Sequence, residues 1–139
     1  MDLEAQHTFE EHRAEVRLRV EADTLRAIFE EAARALCELT AGEVGAPDED
    51  SPPVRVVLRA IDLDALFADW LNELIYLSET RKEVFPVVHV EQITDQDLVA
   101  TLHGVAPSVI RTPVKAATMH ELHVGHDDAK WSATVVLDV

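Results

Sequence analysis

Residues 69–77 read DWLNELIYL, and this stretch predicts the helix from which the rest of the fold is inferred. Its apolar residues share one side of a helix, while four polar residues recur at i, i+3, i+4 and i+7 on another. These four, called the polar stripe below, are Asp69, Asn72, Glu73 and Tyr76. The apolar side predicts packing against a sheet. The polar stripe is either a solvated face or a surface on which a partner docks.

The composition is that of a single globular domain spanning residues 1–139. Hydrophobic residues make up 47% of the chain and charged residues 28%, which excludes an intrinsically disordered class. The acidic opening, MDLEAQHTFEEH, lacks the apolar region of a signal peptide, and no run approaches the ~18 apolar residues of a membrane span. The single cysteine, Cys37, lies in a helical apolar pattern, which predicts a buried thiol and a reducing, cytoplasmic location.

The net charge of the chain restricts the class of partner. Twelve basic and 27 acidic residues leave a formal charge of −15. Affinity for nucleic acid depends largely on neutralising phosphates, so this surface disfavours stable, direct binding of RNA or DNA. A basic protein or cations match the field of the molecule better.

Two periodicities divide the first part of the chain. Alternation over RAEVRLRV (13–20) predicts a half-buried strand. Helical spacing over 24–39, with Asp23 or Thr24 as the N-cap, predicts a first helix. Residues 41–53 collect Gly, Pro and acidic residues, and therefore predict an exposed loop within the same domain.

The remainder of the chain predicts a second helix and five more strands. The helix begins after Asp62, a plausible N-cap, and contains DWLNELIYL. The strands are predicted at 54–60, 84–93, 98–104, 116–124 and 130–139. The order strand, helix, strand, helix and then four strands indicates an α+β domain. In it, two amphipathic helices pack on one mostly antiparallel sheet.

Carboxylates near the two ends of the chain form the first candidate site. Glu15 lies on the polar side of its predicted strand, and Asp138 lies on the polar side of the last one. If these strands are neighbours, the two carboxylates converge beside the terminal carboxylate of Val139. Clustered oxygen ligands of this kind suit Ca²⁺ or Mg²⁺. The alternative is that both side chains are merely solvated, because periodicity predicts the face of a strand and not its neighbour.

Histidines and nucleophile motifs point away from catalysis. His120, His123 and His126 are close in sequence, but alternation in a strand places the first two on opposite faces. A zinc site formed by these three histidines is therefore disfavoured unless the chain bends. There is no Gly-x-Ser-x-Gly motif, no phosphate loop and no Gly-rich dinucleotide turn. The residues alone predict an acidic binding domain without a catalytic apparatus.

The helix DWLNELIYL resembles the most distinctive segment of the archease family. Four other segments resemble the family in the same order, so the resemblance covers nearly the whole chain. They are EEHRAEVRLRV (10–20), LRAIFEEAARALCELT (25–40), VKAATMHELHV (114–124) and WSATVVLDV (131–139). The third contains the Lys-Ala-x-Thr-x-His pattern of the family, which makes His120 a further candidate.

The resemblance implies a fold, a role and a set of ligands. The fold is the strand–helix–strand–strand type of α+β domain. The role is that of a non-catalytic accessory protein of an RtcB-type RNA ligase, which joins tRNA halves and repairs cleaved RNA. The accessory protein promotes guanylylation and multiple turnover of that ligase. It binds a divalent cation, either Ca²⁺ or Mg²⁺, and the implied ligands here are Glu15, Asp138 and the Val139 carboxylate. The polar stripe becomes a candidate contact surface for the ligase.

Departures from the family pattern keep two alternatives open. Glu15 stands where the family has Asp, Arg13 where it has Thr, and Arg17 where it has Gly. Either arginine is a candidate to pair with Glu15 and take the place of the metal, which would leave a metal-free protein-binding module. A small metal-dependent hydrolase using Glu15 and Asp138 is the other alternative, but no general base is evident for it.

Overall fold

The computed structural model describes residues 3–12 and 14–139 of the chain. Within them, seven strands and two helices follow one another in the order ββαβαββββ. The strands are β1 (Gln6–His12), β2 (Glu15–Ala22), β3 (Val54–Arg59), β4 (Val84–Ile93), β5 (Asp97–Val105), β6 (Ala116–His126) and β7 (Trp131–Asp138). The helices are α1 (Leu25–Ala41) and α2 (Leu63–Arg81). The predicted α+β class and its two helices are therefore confirmed.

The strands form two antiparallel sheets, whereas the sequence predicted one. Sheet A has the strand order β1-β2-β7-β6, and sheet B has the order β3-β5-β4. Both sheets and both helices contribute to the same hydrophobic core, in which Leu18, Phe29, Trp70, Leu102 and Leu137 are almost completely buried. Alternation along a strand determines which side chains face that core, and it does not determine which strands pair.

Each helix begins at a predicted capping residue. Thr24 accepts a hydrogen bond from the backbone N–H of Ala27 at 3.1 Å, and Asp62 accepts one from Ala65 at 2.8 Å. These bonds satisfy backbone donors that have no partner inside the helix. In the middle of α2, Trp70 is fully buried and its indole Nε1 donates to the carbonyl of Phe29 at 2.9 Å. The apolar side of DWLNELIYL thus packs as the sequence predicted.

Strand β6 contains a wide bulge, which shortens the strand between two of its contacts with α2. Residues 119–122 of β6 stand opposite a single residue of β7, Val135. Asp64 and Asn72 of α2 hydrogen-bond the backbones of Val124 and Ala117 in β6. Those helix positions are separated by about 12 Å, and a strand crossing seven residues would span about 23 Å. The bulge removes the excess, so both contacts form.

Strand β1 is the element that the sequence did not predict. Its residues facing α1 include His7 and Phe9, opposite Val20 and Leu18 of β2. His7 is polar and meets carboxylates of α1, so the alternation of apolar residues that identifies a strand is weak here.

The remaining predictions concern the position of Pro86, the turn at 94–97 and membrane-spanning helices. Pro86 lies in β4, an edge strand, next to an irregular register, which is a position that tolerates a residue without an N–H. Thr94 donates its backbone N–H to the Asp97 carbonyl at 2.9 Å, closing the predicted turn. Neither of the helices in the described residues is long and apolar enough to span a bilayer.

Candidate functional site

The register of β2 against β7 places Glu15 directly opposite Asp138. The backbone N–H of Val139 donates to the carbonyl of Ala14 at 3.0 Å, which holds the last residue beside the start of β2. Lys115 donates its backbone N–H to the Asp138 carbonyl at 2.8 Å and fixes the other side of β7. The adjacency of these strands, on which the candidate site depended, is therefore present. Glu15, Asp138 and Val139 are called the carboxylate cluster below.

The electrostatics of the carboxylate cluster favour a cation. Glu15 and Asp138 share the outer face of sheet A, because their neighbours Val16 and Leu137 are buried in the core. Among the side chains that the structure describes, those of residues 3–11 and 14–139, no Lys, Arg or His lies within 4.0 Å of either carboxylate. Like charges directly opposite each other destabilise a sheet, and a bound cation relieves that repulsion. Carboxylate oxygens are also the ligands that Ca²⁺ and Mg²⁺ prefer.

The cluster contains only two acidic side chains, so a complete site needs other oxygen atoms. Among the described residues, no group of three or more His, Cys, Asp or Glu side chains is arranged to hold a metal. The terminal carboxylate of Val139 and water would have to supply the remaining ligands. This composition fits a hard cation, which keeps part of its hydration shell, better than it fits zinc.

Arg17, one of the two arginines predicted to compete for Glu15, is engaged elsewhere. Its guanidinium donates to Glu121 in the bulge of β6 and lies 4.0 Å from Glu10. Because Arg17 stands opposite Val136 of β7, its side chain crosses that residue, which is only 4% exposed. Arg17 thus covers an apolar residue on the outer face of sheet A. The other arginine, Arg13, lies outside the described residues.

The bend in β6 does not bring its histidines together. Glu121 adopts a left-handed backbone conformation with φ 58°, which is uncommon for a residue with a side chain. His120 and His123 are highly exposed, and each has a carboxylate of its own, Glu121 at 3.8 Å and Asp64 at 3.6 Å. His126 instead lies against the ring of Trp131. The position of His120 in the bulge therefore offers no zinc centre with the other two.

One residue of the polar stripe bonds to a neighbouring strand, and the side chains of the other three make no such contact. The Asn72 amide donates from Nδ2 to the Ala117 carbonyl at 3.0 Å and accepts from its N–H at 2.8 Å. This pair of bonds attaches α2 to β6. Asp69 and Tyr76 are exposed and Glu73 is partly exposed, and within the described chain none of their side chains makes a hydrogen bond or ion pair. These three side chains are the ones free of contacts within the described residues.

Cys37 does not have the properties of a nucleophile. The residue is buried, and burial, helped by the negative charge of Glu38, raises the pKa of its thiol to about 11. A thiol with so high a pKa carries little thiolate at neutral pH. The predicted structural role of Cys37 agrees with this environment.

Lys115 is a neighbour of the cluster that residue patterns alone did not predict. It precedes β6 and lines a cleft of about 510 Å³ between the C-terminal ends of α1 and α2, together with apolar residues such as Leu36, Ile75 and Ile110. Its backbone contact with Asp138 depends on the pairing of β6 with β7. The only signal in the sequence was its position as the first residue of the Lys-Ala-x-Thr-x-His pattern.

Comparison with known proteins agrees with this fold and these segments. A model of the Archease protein family matches residues 7–139. Protein archease of Methanosarcina acetivorans is 30% identical over 137 residues, covering 93% of this chain and 92% of the relative. Protein archease of Pyrococcus furiosus is 29% identical over 138 residues, covering 93% of this chain and 95% of the relative.

Two solved structures share the fold. One is Protein 1598 of Methanobacterium thermoautotrophicum, with a TM-score of 0.72 and 24% identity over 96% of this chain and 98% of the other. The second is a Thermotoga maritima protein described as an archease, possible chaperone, with a TM-score of 0.64 and 19% identity over 94% of each chain. The family match and the relatives in the Methanosarcina and Pyrococcus proteomes together lead to one conclusion: the chain belongs to the archease family.

Proposed function

We propose that this chain is a non-catalytic accessory protein of an RtcB-type RNA ligase in the cytoplasm. It promotes guanylylation of the ligase and its multiple turnover in tRNA splicing and RNA repair. Membership of the archease family supports this role, as does the net charge of −15, which favours a basic protein over nucleic acid as the direct partner. It contributes no covalent chemistry of its own.

The observation that carries the proposal is the opposed pair Glu15 and Asp138 at the edge where the chain ends. These carboxylates, with the Val139 carboxylate, would hold one divalent cation. When bound, the cation supplies positive charge that neutralises the pair. The two side chains orient it, and the backbone bonds from Val139 to Ala14 and from Lys115 to Asp138 hold both strand ends in position.

The polar stripe is the proposed docking surface, and the attachment of α2 to β6 links it to the carboxylate cluster. Asn72 bonds to Ala117, and the preceding residue, Ala116, stands opposite Asp138. The polar stripe and the carboxylate cluster are therefore connected through two adjacent residues of one strand. Tyr76, which is 60% exposed, is the aromatic anchor of the proposed contact with the ligase.

The test measures guanylylation and multiple-turnover joining by the ligase of the same organism, with and without this protein. Glu15→Gln and Asp138→Asn remove one charge each and keep the side-chain shape. Glu49→Gln, in the exposed loop, changes the net charge by the same amount and is the control. We expect loss of stimulation and of Ca²⁺ or Mg²⁺ binding in the first two variants only. Stimulation that survives both would make the chain a metal-free protein-binding module, and no stimulation of an active ligase would overturn the accessory role.

The contact surface has its own test. Tyr76→Ala is expected to weaken binding of the ligase while leaving cation binding unchanged, because the side chain is exposed and lies outside the carboxylate cluster. Added salt is expected to slow association, since opposite charges steer the encounter. Association that is insensitive to both the variant and salt would exclude the polar stripe as the contact surface.

A further inference from the structure

Two histidines share the outer face of sheet B, away from the carboxylate cluster on sheet A. His89 of β4 stands opposite Thr101 of β5, and His103 of β5 stands opposite Val87, so the histidines are diagonal neighbours on paired strands. The residues that flank them in register are Val88 with Leu102 and Val90 with Ala100, and all four are buried. Both imidazoles consequently point away from the helices, and His89 is exposed.

The separation of the two rings suits a shared metal ion. Their centroids are 6.0 Å apart and their planes are inclined by 78°. A metal bound at about 2.0–2.1 Å from an imidazole nitrogen lies about 3.2 Å from the ring centroid, so two rings on one metal have centroids at most about 6.4 Å apart. A tetrahedral angle at the metal brings them to about 5.2 Å. Both side chains face solvent, so small rotations can bring the ring centroids this much closer together.

The ring nitrogens of this pair are available for coordination. Among the described side chains, those of residues 3–11 and 14–139, neither His89 nor His103 makes a hydrogen bond or an ion pair. His7 provides the contrast, because its two nitrogens lie 2.7 Å from Glu31 and 2.6 Å from Glu38. Neutral imidazole nitrogen is a preferred ligand of Zn²⁺ and Cu²⁺ and a poor ligand of Ca²⁺ and Mg²⁺.

The charges around the pair are nearly balanced. Glu91 of β4 accepts a hydrogen bond from the hydroxyl of Thr101, the residue opposite His89. Arg55 of β3 stands opposite Thr101 on its other side, and its guanidinium lies 3.9 Å from the Glu91 carboxylate. Glu91 thus offsets the positive charge of Arg55 next to the histidines. With two imidazoles as the protein ligands, the other coordination positions are open to water.

We propose that His89 and His103 form a binding site for a borderline divalent metal of the Zn²⁺ class, separate from the carboxylate cluster. The site lies at the surface and offers only two protein ligands, so metal exchanges readily. It stabilises the folded protein because the histidines adopt this spacing only when β4 and β5 are paired. The proposal does not depend on the role of the protein as a ligase accessory factor.

The experiment titrates Zn²⁺ into chelator-treated, tag-free protein and follows both metal binding by calorimetry and the unfolding midpoint. His89→Gln and His103→Gln are expected to weaken the tightest Zn²⁺ binding by about tenfold or more, since changes even outside the ligand shell cost 10–100-fold. His123→Gln, which changes an exposed histidine on sheet A, is the control and is expected to bind Zn²⁺ as the unaltered protein does.

Three further outcomes decide the assignment. Unchanged circular dichroism of the variants without metal shows that they fold, as expected for side chains on the outer face of sheet B. Ca²⁺ at the same concentrations is expected to leave the histidine resonances unmoved in NMR spectra, whereas Zn²⁺ shifts those of His89 and His103. Zn²⁺ binding that persists in both His89→Gln and His103→Gln, or that is lost in His123→Gln or in Glu15→Gln instead, would overturn the site.

Discussion

Helices α1 and α2 pack in the same core but are attached to their neighbours by different chemistry. Charged side chains connect α1 to its neighbours: Glu30 accepts from the N–H of Val90 at 2.9 Å, and Arg26 donates to the carbonyl of Glu91 at 3.2 Å. His7 of β1 lies between Glu31 and Glu38 of α1. Neutral groups connect the middle of α2, where the Trp70 indole bonds to the Phe29 carbonyl of α1 and the Asn72 amide bonds to Ala117 of β6. The first turn of α2 uses a charge, because Asp64 accepts from the N–H of Val124.

The difference affects how each helix responds to solution conditions. Charge-assisted hydrogen bonds are stronger than neutral ones, but they depend on ionisation and, when exposed, on salt. The attachment of α1 therefore relies on charged side chains. Asn72 and Trp70 do not titrate, so the centre of α2, which carries the polar stripe, keeps its position as conditions change. This independence would be useful if the stripe is the contact surface proposed above.

Removal of Trp70 is the largest expected disruption of α2. Trp70→Ala is predicted to lower the free energy of unfolding by about 3–5 kcal/mol, because it leaves a cavity in the core and deletes the bond to Phe29. Denaturant unfolding measures the loss. Trp131→Ala, at a partly exposed strand position, is the control, and a loss there as large as at Trp70 would contradict the central role of α2.

Asn72→Asp tests whether the neutrality of the α2 attachment matters. The change replaces the amide donor with an oxygen that faces the Ala117 carbonyl. We predict a destabilisation of about 1–3 kcal/mol at neutral pH, since a donor is lost and like partial charges oppose each other. The loss is expected to shrink in acid, where the protonated carboxyl donates again. Asp69→Asn, on the exposed part of the stripe, should have no measurable effect on unfolding.

Glu30→Gln is the complementary change in α1. Its amide oxygen still accepts from the N–H of Val90, but the charge is gone. The expected loss is about 0.5–1.5 kcal/mol in denaturant unfolding. Glu43→Gln, at an exposed position after α1, is the charge-matched control. If Glu30→Gln were as disruptive as Asn72→Asp, the proposed distinction between the helices would be wrong.

The smallest expected effect is an acid dependence in sheet A, outside both helices. A hydrogen bond from Lys130 is the main cause that lowers the pKa of Glu21 from its usual value. Glu21 therefore adds stability above its unfolded pKa of 4.5, and that stability is lost as pH falls through the lower folded pKa. Lys130→Met should cost about 0.2–1 kcal/mol at neutral pH and less at about pH 3, measured by unfolding. An equal loss at both pH values would exclude this ion pair as the cause.

The sequence predicted those parts of the fold that depend on local periodicity. Helix α2, its cap at Asp62 and the cap at Thr24 follow from residues within one or two turns of each other. Strand β1 was missed because the contact that explains its polar inner face, His7 with Glu31, joins residues 24 positions apart. The division into two sheets was missed for the same reason, since pairing is a long-range property.

The candidate site was predicted only as far as periodicity allows. Alternation placed Glu15 and Asp138 on the polar faces of their strands, and the register then placed them opposite each other. No local pattern predicted that Asn72 bonds to Ala117 or that Arg17 reaches Glu121, because these partners lie 45 and 104 residues away. The sequence therefore could not separate solvated members of the polar stripe from those used within the fold.

The bulge of β6 also bears on self-association. β6 is an edge strand of sheet A, and a straight edge exposes a continuous row of backbone groups to which a strand of another molecule adds. Residues 119–122 interrupt that row, and Glu121 in a left-handed conformation turns the chain away from the extended path. The edge therefore lacks the long straight row of backbone groups that sheet growth from copy to copy requires.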